Sequence, residues 1–422
     1  MGSIMKNFTQ LNDKIEWSEL LSKIDNDRIA LLNKSDEQFI CAWDAKDEIL
    51  FKKDAFNSTD LQAFIDQHKT SYIFGMLSYD IKNSITKDLL NQKTTEAHDD
   101  ALFFVPNHVL IQENGQLFYF GIYNSEEITA FIRQEKLVTN GDVPSIILSP
   151  NITHDAYIEK IKQVKDRIQY GDIYEMNYCM HFVGTLPPYK KVDTKAIYRK
   201  LYAKAQAPFG AYFRTGATTI LCASPERFIN KKQQTLTSQP IKGTAKRSLI
   251  KEEDDAILTA LTTSEKERAE NIMIVDLVRN DLSMIAERRS VNVPELCKAY
   301  SFKTVHQLIS TVKANISKKV NFTNTLEALF PMGSMTGAPK KSAMQHIHAF
   351  ENFDRGIYSG SVGYIAPNGN YDFNVVIRSI IIDENKQLVT SSVGGAITIK
   401  SDPEEEYQEC LVKLNAIKET LS

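Results

Sequence analysis

No stretch of this 422-residue chain approaches the ~18 consecutive apolar residues that a membrane-spanning helix requires. No membrane partner is therefore expected. Charge of one sign is also missing. The net charge is −3, so no whole-protein field gathers nucleic acid. Cysteine is sparse and scattered. Cys41, Cys179, Cys222, Cys297 and Cys410 form no CxxC pair, which excludes a zinc knuckle and predicts a reduced, cytoplasmic protein. None of them has glycine on both sides, the tight-turn setting of a glutaminase nucleophile. The eight histidines form no metal-spaced set, and His346 with His348 reads as a helix surface. No GxGxxG follows a predicted strand. The glycine-rich run from Phe330 to Met344 is not a phosphate loop either, because Pro339 stands before Lys340 and the spacer is wrong. The opening residues lack the apolar core of an export leader, and Lys6 breaks the myristoylation pattern.

What is present is an ordinary globular composition, 42% hydrophobic and 24% charged, long enough for two or three lobes. Residues 1–125 alternate short apolar runs with polar turns and read as a sheet-forming region. Ser71–Ile81 and Gln116–Tyr123 have strand composition, and Glu113–Gln116 reads as a hairpin turn. A soft boundary is expected over 126–152, with the loop at Thr139–Ser145, followed by a second region over 150–422. Tyr157, Ile161, Val164 and Ile168 keep a helical stripe that Gly171 ends. Strand pairs are predicted around Thr215-Gly216 and Pro367-Asn368-Gly369. A long helix is predicted over 264–286. Near the C-terminus the pattern predicts a strand, a kink at Gly394-Gly395, another strand and a closing helix. Hairpins with helices between them argue for an α+β fold with antiparallel sheet.

Three groups of residues carry chemistry. In "SQPIKGTAKR", Lys242 lies between Pro240-Ile241 and Gly243-Thr244. Proline fixes one backbone angle and glycine permits unusual ones, so the lysine is expected on a rigid turn. The helix opening "SEKERAEN" places Glu267 and Glu270 on one face, and the closing helix repeats the spacing with Glu406 and Glu409, Lys413 one turn further. Acidic residues near a helix start also suit its dipole. If the two helices meet, four carboxylates make an oxygen-rich site suited to Mg²⁺. Gly333, Thr336, Gly337 and Lys340 open a third helix, whose N-terminus could bind an anion or simply form a turn.

"SPERF", "PIKGT", "ERAENIMIVDLVRNDL", "FPMGSMTGAPK", "YSGSVGYI", "NVVIRS" and "SDPEEEYQE" occur in that order. Together they resemble the chorismate-binding enzymes, a family that includes anthranilate, aminodeoxychorismate and isochorismate synthases. The resemblance implies an α+β fold like that of anthranilate synthase component I, with the N-terminal segment in the same sheet core. Within the family, PIKGT resembles the aminodeoxychorismate synthases, whereas anthranilate synthases carry alanine at the lysine position. That likeness implies a component I that turns chorismate and ammonia into 4-amino-4-deoxychorismate for folate, fed by a separate glutaminase subunit. Anthranilate synthesis is the alternative, and an isochorismate-type reaction the next.

The resemblance also implies roles. Lys242 is the nucleophile at ring C2, for which it must be neutral, and burial can lower its pKa. Glu226 is the general acid for the departing C4 hydroxyl. His306 lines the C4 side. Glu267, Glu270, Glu406 and Glu409 hold Mg²⁺. Arg378 and Tyr358, with the backbone at Gly394 and Gly395, hold the pyruvyl carboxylate; Thr336 and Lys413 complete the pocket. Glu175 departs from the pattern, standing where amino-adding members usually have glutamine and isochorismate-forming members lysine. No "LLES" element appears in the N-terminal third, so tryptophan inhibition is not expected.

Overall fold

A computed structural model of the chain describes residues 9–86, 98–135, 143–187, 192–303 and 305–422. Antiparallel pairing links its strands into one branched network. From Ala101–Glu113 one arm runs through Gln38–Phe51, Arg28–Ser35, Phe209–Thr215, Thr218–Ser224, Ser379–Asp383 and Leu388–Ile397 to Glu175–Thr185. The other arm runs through Ile73–Leu77, Ser361–Ile365, Tyr371–Asn374, Arg227–Lys232 and Thr235–Gln239 to Val305–Asn315. Strands from the first third therefore hydrogen-bond directly to strands of the last third, in one α+β fold. Aromatic side chains fill the interior: Phe74, Phe103, Phe104, Phe213 and Phe373 are fully buried. Each contributes roughly 1.5–3 kcal/mol by leaving water.

Turn chemistry sets the hairpins. Asn114 and Gly115 both adopt left-handed backbone (φ 53° and 73°) between Ala101–Glu113 and Gln116–Gly121, as a two-residue turn of this kind requires. Gly171, at φ 86°, caps the helix His154–Tyr170. That helix buries Tyr157, Ile161 and Val164, and Tyr157 packs against Tyr407 of the closing helix Pro403–Leu421 at 5.3 Å between rings. The helix Glu265–Ser283 buries Ile274, Val275, Val278 and Leu282.

Four expectations are corrected. Leu388–Ile397 is one unbroken strand, paired from Leu388 opposite Thr185 to Ile397 opposite Met176. Gly394 does not kink it but permits close approach, since a Cβ there would lie 2.6 Å from Cys179 Sγ. The stretch after residue 125 opens with a helix, Ser125–Arg133, whose Asn124 and Glu127 form a reciprocal capping box. The boundary loop expected from Thr139 falls partly outside the described residues. Lys242 lies in a strand, Ile241–Lys246, rather than on a turn. Arg378 precedes the strand Ser379–Asp383 with φ 51°, not inside it.

Candidate active site

The strand Ile241–Lys246 follows Pro240 along one edge of Val305–Asn315, and its register slips between Ile241 and Thr244. A β-bulge of this kind re-aims a side chain. Gly243 makes it possible: its φ is +92°, and a Cβ there would meet Glu267 Oε2 at 3.0 Å. Asn271 ties the bulge to its helix by donating to the carbonyls of Lys242 (3.3 Å) and Leu308 (3.2 Å). Lys242 consequently points inward and Nζ donates to Glu175 Oε1 at 3.1 Å. The two side chains are 12% and 1% exposed. Burial alone would lower the lysine's pKa, but the carboxylates of Glu175, Glu270 and Glu226 outweigh it and hold the ammonium above its ordinary value. The resting Lys242 is thus a cation, not the neutral amine that burial by itself favours.

Glu226 follows the strand Thr218–Ser224 and is buried. The Ser334 hydroxyl donates to its Oε1 at 2.7 Å, and its backbone N–H donates to Ser224 Oγ at 3.1 Å. Burial raises its carboxyl to about 7, against the opposing pull of Ser334 and Lys242. It can therefore carry a proton near neutral pH and release it to a leaving group.

Of the two predicted glutamate pairs, Glu267, Glu270 and Glu409 feel the charge of this lysine. Lys266 Nζ lies 3.9 Å from Glu406 Oε1, and so links the helix Glu265–Ser283 to the closing helix. Burial raises Glu267 and Glu406, and takes Glu270 to about 7, with Glu175 and Glu267 adding to the Glu270 shift. Partial burial pushes the half-exposed Glu409 up, but Lys413, 2.6 Å away, brings it below its ordinary value. Lys413 Nζ also donates to the Gly394 carbonyl at 2.8 Å. A Cβ at Gly395 would lie 2.9 Å from Glu406 Oε2. Among the described residues no three histidine, cysteine or carboxylate side chains converge closely enough to cage a metal alone. Yet Glu270 Oε1 is buried without a hydrogen-bond partner among the described residues, and the donors are all oxygens. The set fits a hard cation that keeps waters and shares a ligand's oxygens.

Arg378 makes no hydrogen bond or ion pair among the described residues. Burial of much of the side chain lowers its pKa, against the opposing influence of Tyr358 and Glu409. A half-buried guanidinium without an anion is built to receive one. Tyr358 is buried, with its hydroxyl 4.0 Å from Cys179 Sγ. Thr336 is fully buried and donates to the Met332 carbonyl at 3.1 Å, which fixes the turn that carries Ser334. His306 sits differently from the rest. Its Nε2 contacts Asp254 Oδ1 at 2.9 Å and its Nδ1 contacts Ser301 Oγ at 2.8 Å. Hydrogen bonds from Arg247 hold that aspartate at about 2. Both ring nitrogens are therefore engaged by the protein itself. Lys340 pairs with Asp281 and the Leu329 carbonyl, so it does not supply an anion site. Ser334, Asn271, Arg247 and Asp254 were not among the site residues read from the sequence. Of these, only Asp254 lies outside the stretches already quoted.

Residues 19–419 match the family model described as chorismate binding enzyme. The chain belongs to the chorismate-binding enzyme family. It is 38% identical over 295 residues to the aminodeoxychorismate synthase component 1 of Escherichia coli strain K12, covering 70% of this chain and 63% of that one. It is 34% identical over 369 residues to the chloroplastic aminodeoxychorismate synthase of Arabidopsis thaliana, covering 81% and 39% respectively. The chain thus spans less than two thirds of the length of these curated relatives. Among solved structures, anthranilate synthase component I from Streptococcus pneumoniae TIGR4 superposes with a TM-score of 0.79 at 23% identity, covering 99% of this chain and 98% of that one. MenF, the menaquinone-specific isochorismate synthase of Escherichia coli, gives 0.76 at 18% identity, covering 98% and 93%. This family's members of different chemistry share one fold, so the chemistry must be read from the site.

Proposed function

We propose that this chain is a Mg²⁺-dependent aminodeoxychorismate synthase component that converts chorismate and ammonia to 4-amino-4-deoxychorismate. The observation that carries the proposal is Lys242, bulged into a buried site between Glu175 and Glu226. Glu226 protonates the C4 hydroxyl as it leaves. The Lys242 amine bonds to ring C2, and ammonia then adds at C4 and displaces it. Arg378, with Tyr358 and the backbone of Gly394 and Gly395, grips the pyruvyl carboxylate. Glu267, Glu270, Glu406 and Glu409 would hold Mg²⁺, which supplies positive charge for the ring carboxylate. Ammonia comes from a separate glutaminase subunit, because all five cysteines of this chain are buried and none has the setting of a glutaminase nucleophile.

Chorismate, Mg²⁺ and an ammonium salt should yield 4-amino-4-deoxychorismate by mass spectrometry and NMR. Glutamine alone should yield none with the isolated chain. Anthranilate or isochorismate as the main product would overturn the assignment.

The Glu226 acid predicts a pH limb. Its protonated form is the active one and is lost as pH rises through about 7. Formation of the Lys242 adduct, measured without ammonia, should therefore fall by about tenfold per pH unit above that point. Glu226→Gln should be slow throughout and lose the limb. An unchanged limb in that variant would assign the titration to another group.

A further inference from the structure

We propose that Glu175 is the proton acceptor for Lys242, taking the proton that the ammonium must shed before its amine can attack. The proposal rests on the reading of Lys242 as nucleophile. Several carboxylates face this lysine: Glu175 from the strand Glu175–Thr185, Glu226 from the end of Thr218–Ser224, Glu267 and Glu270 from one helix and Glu409 from the closing helix. Only Glu175 is in hydrogen-bond contact with Nζ among the described residues, at 3.1 Å. Glu226 must keep its proton for the leaving hydroxyl. The other glutamates face the proposed cation.

Glu175 is also fixed. Its backbone lies opposite Ala338, and a Cβ on neighbouring Gly337 would lie 2.1 Å from the Glu175 carbonyl oxygen. The side chain is 1% exposed, yet its Oε2 has no hydrogen-bond partner among the described residues. A purely structural buried ion pair is expected to have both oxygens satisfied. Here one oxygen meets the lysine and the other is bare. Transfer breaks one N–H bond and forms one O–H bond, turning a buried ion pair into a neutral acid and a neutral amine. Net charge is unchanged, and the desolvation cost of two buried ions is relieved. When ammonia releases the amine, the proton returns and the resting pair is restored. Glutamine at this position could hold the lysine in place but could not accept its proton.

The test uses the full chain with Mg²⁺ and chorismate, without ammonia, and follows the Lys242 adduct by intact-protein mass between pH 6 and 9. The Glu226 limb is common to all variants, so each rate is read as a ratio to wild type at the same pH. For Glu175→Gln this ratio should be on the order of 10²–10⁴-fold below one near pH 6. It should then rise about tenfold per pH unit, because the proton must now leave to solvent. Glu175→Asp keeps an acceptor, so its ratio should stay flat with pH even where the rate falls. In parallel, acetic anhydride labelling of Lys242, read by peptide mass spectrometry, should begin at lower pH in Glu175→Gln than in wild type. This readout needs no turnover and shows that the variant is folded with its lysine in place. A Glu175→Gln ratio that is low but independent of pH makes Glu175 a positioning residue and overturns the proposal, as does a ratio near one. Absence of any Lys242 adduct in the wild type would instead sink the nucleophile reading, and the proton-acceptor role with it.

Discussion

Replacing Lys242 by alanine should cut formation of 4-amino-4-deoxychorismate by about 10³-fold or more, or ~4 kcal/mol of barrier. Loss of a nucleophile removes a chemical step, not one contact among several. Chorismate affinity should change far less, because the proposed grip of Arg378 and Tyr358 on its carboxylate does not depend on the lysine side chain. Lys242→Arg should not rescue, since a guanidinium stays protonated and cannot attack. It would also have to fit a buried site in which Nζ now lies 3.1 Å from Glu175. Residual turnover in the alanine variant should shift toward amination at C2, because ammonia then has no lysine competing for that carbon. Product analysis of wild type and variant side by side decides the matter. Near wild-type product from the alanine variant would reduce Lys242 to a binding cation.

Removal of divalent cations should be nearly as severe. Chelator should abolish turnover, and Mg²⁺ in excess should restore it. Glu270→Gln and Glu409→Gln should each lower kcat/KM by about 10²-fold or more and weaken the response to Mg²⁺. The same cluster should be visible in stability. Burial holds Glu270 at about 7, from an ordinary 4.5. A carboxyl raised in the folded state favours folding below its unfolded value, and that contribution is lost as pH rises through about 7. Cation-free protein should therefore lose melting temperature between roughly pH 5 and pH 7. Mg²⁺ should counter the part of the loss that comes from this cluster, and Glu270→Gln should make the loss smaller. Full turnover in chelator would dismiss the metal, and a melting temperature indifferent to both pH and Mg²⁺ would dismiss the repelling cluster.

Local signals read well where local physics decides. The left-handed turn at Asn114-Gly115 and the Gly171 cap need only neighbours in sequence. The glutamate pairs were legible because three-residue spacing on a helix fixes a common face. That the two helices approach each other was not, and the Lys266–Glu406 contact supplies it. Gly394-Gly395 was misread because glycine serves two purposes, bending a strand or admitting a neighbour, and only the partner strand distinguishes them. Lys242 was expected on a turn for a similar reason: a proline and a glycine two or three residues apart suit a bulge as well as a turn. The helix Ser125–Arg133 carries its own signature in Asn124 and Glu127, largely within the stretch expected only as a soft boundary. The charge state of Lys242 could not be read at all. It depends on Glu175, 67 residues away in the chain, on Glu270 from a helix and on Glu226 from the end of a strand.

The interleaving of early and late strands bears on how the protein is made. Ile73 pairs with Ile365 and Leu77 with Ser361, so the strand Ile73–Leu77 meets that neighbour only after nearly 300 more residues have been synthesised. At about 5–20 residues per second that is on the order of 15–60 s. Through that interval an emerging chain carries an apolar strand with one bare edge, the template on which foreign strands pair. Completion of the sheet thus waits on that delay, and the yield of native protein depends on what shields Ile73–Leu77 until Ser361–Ile365 has been made.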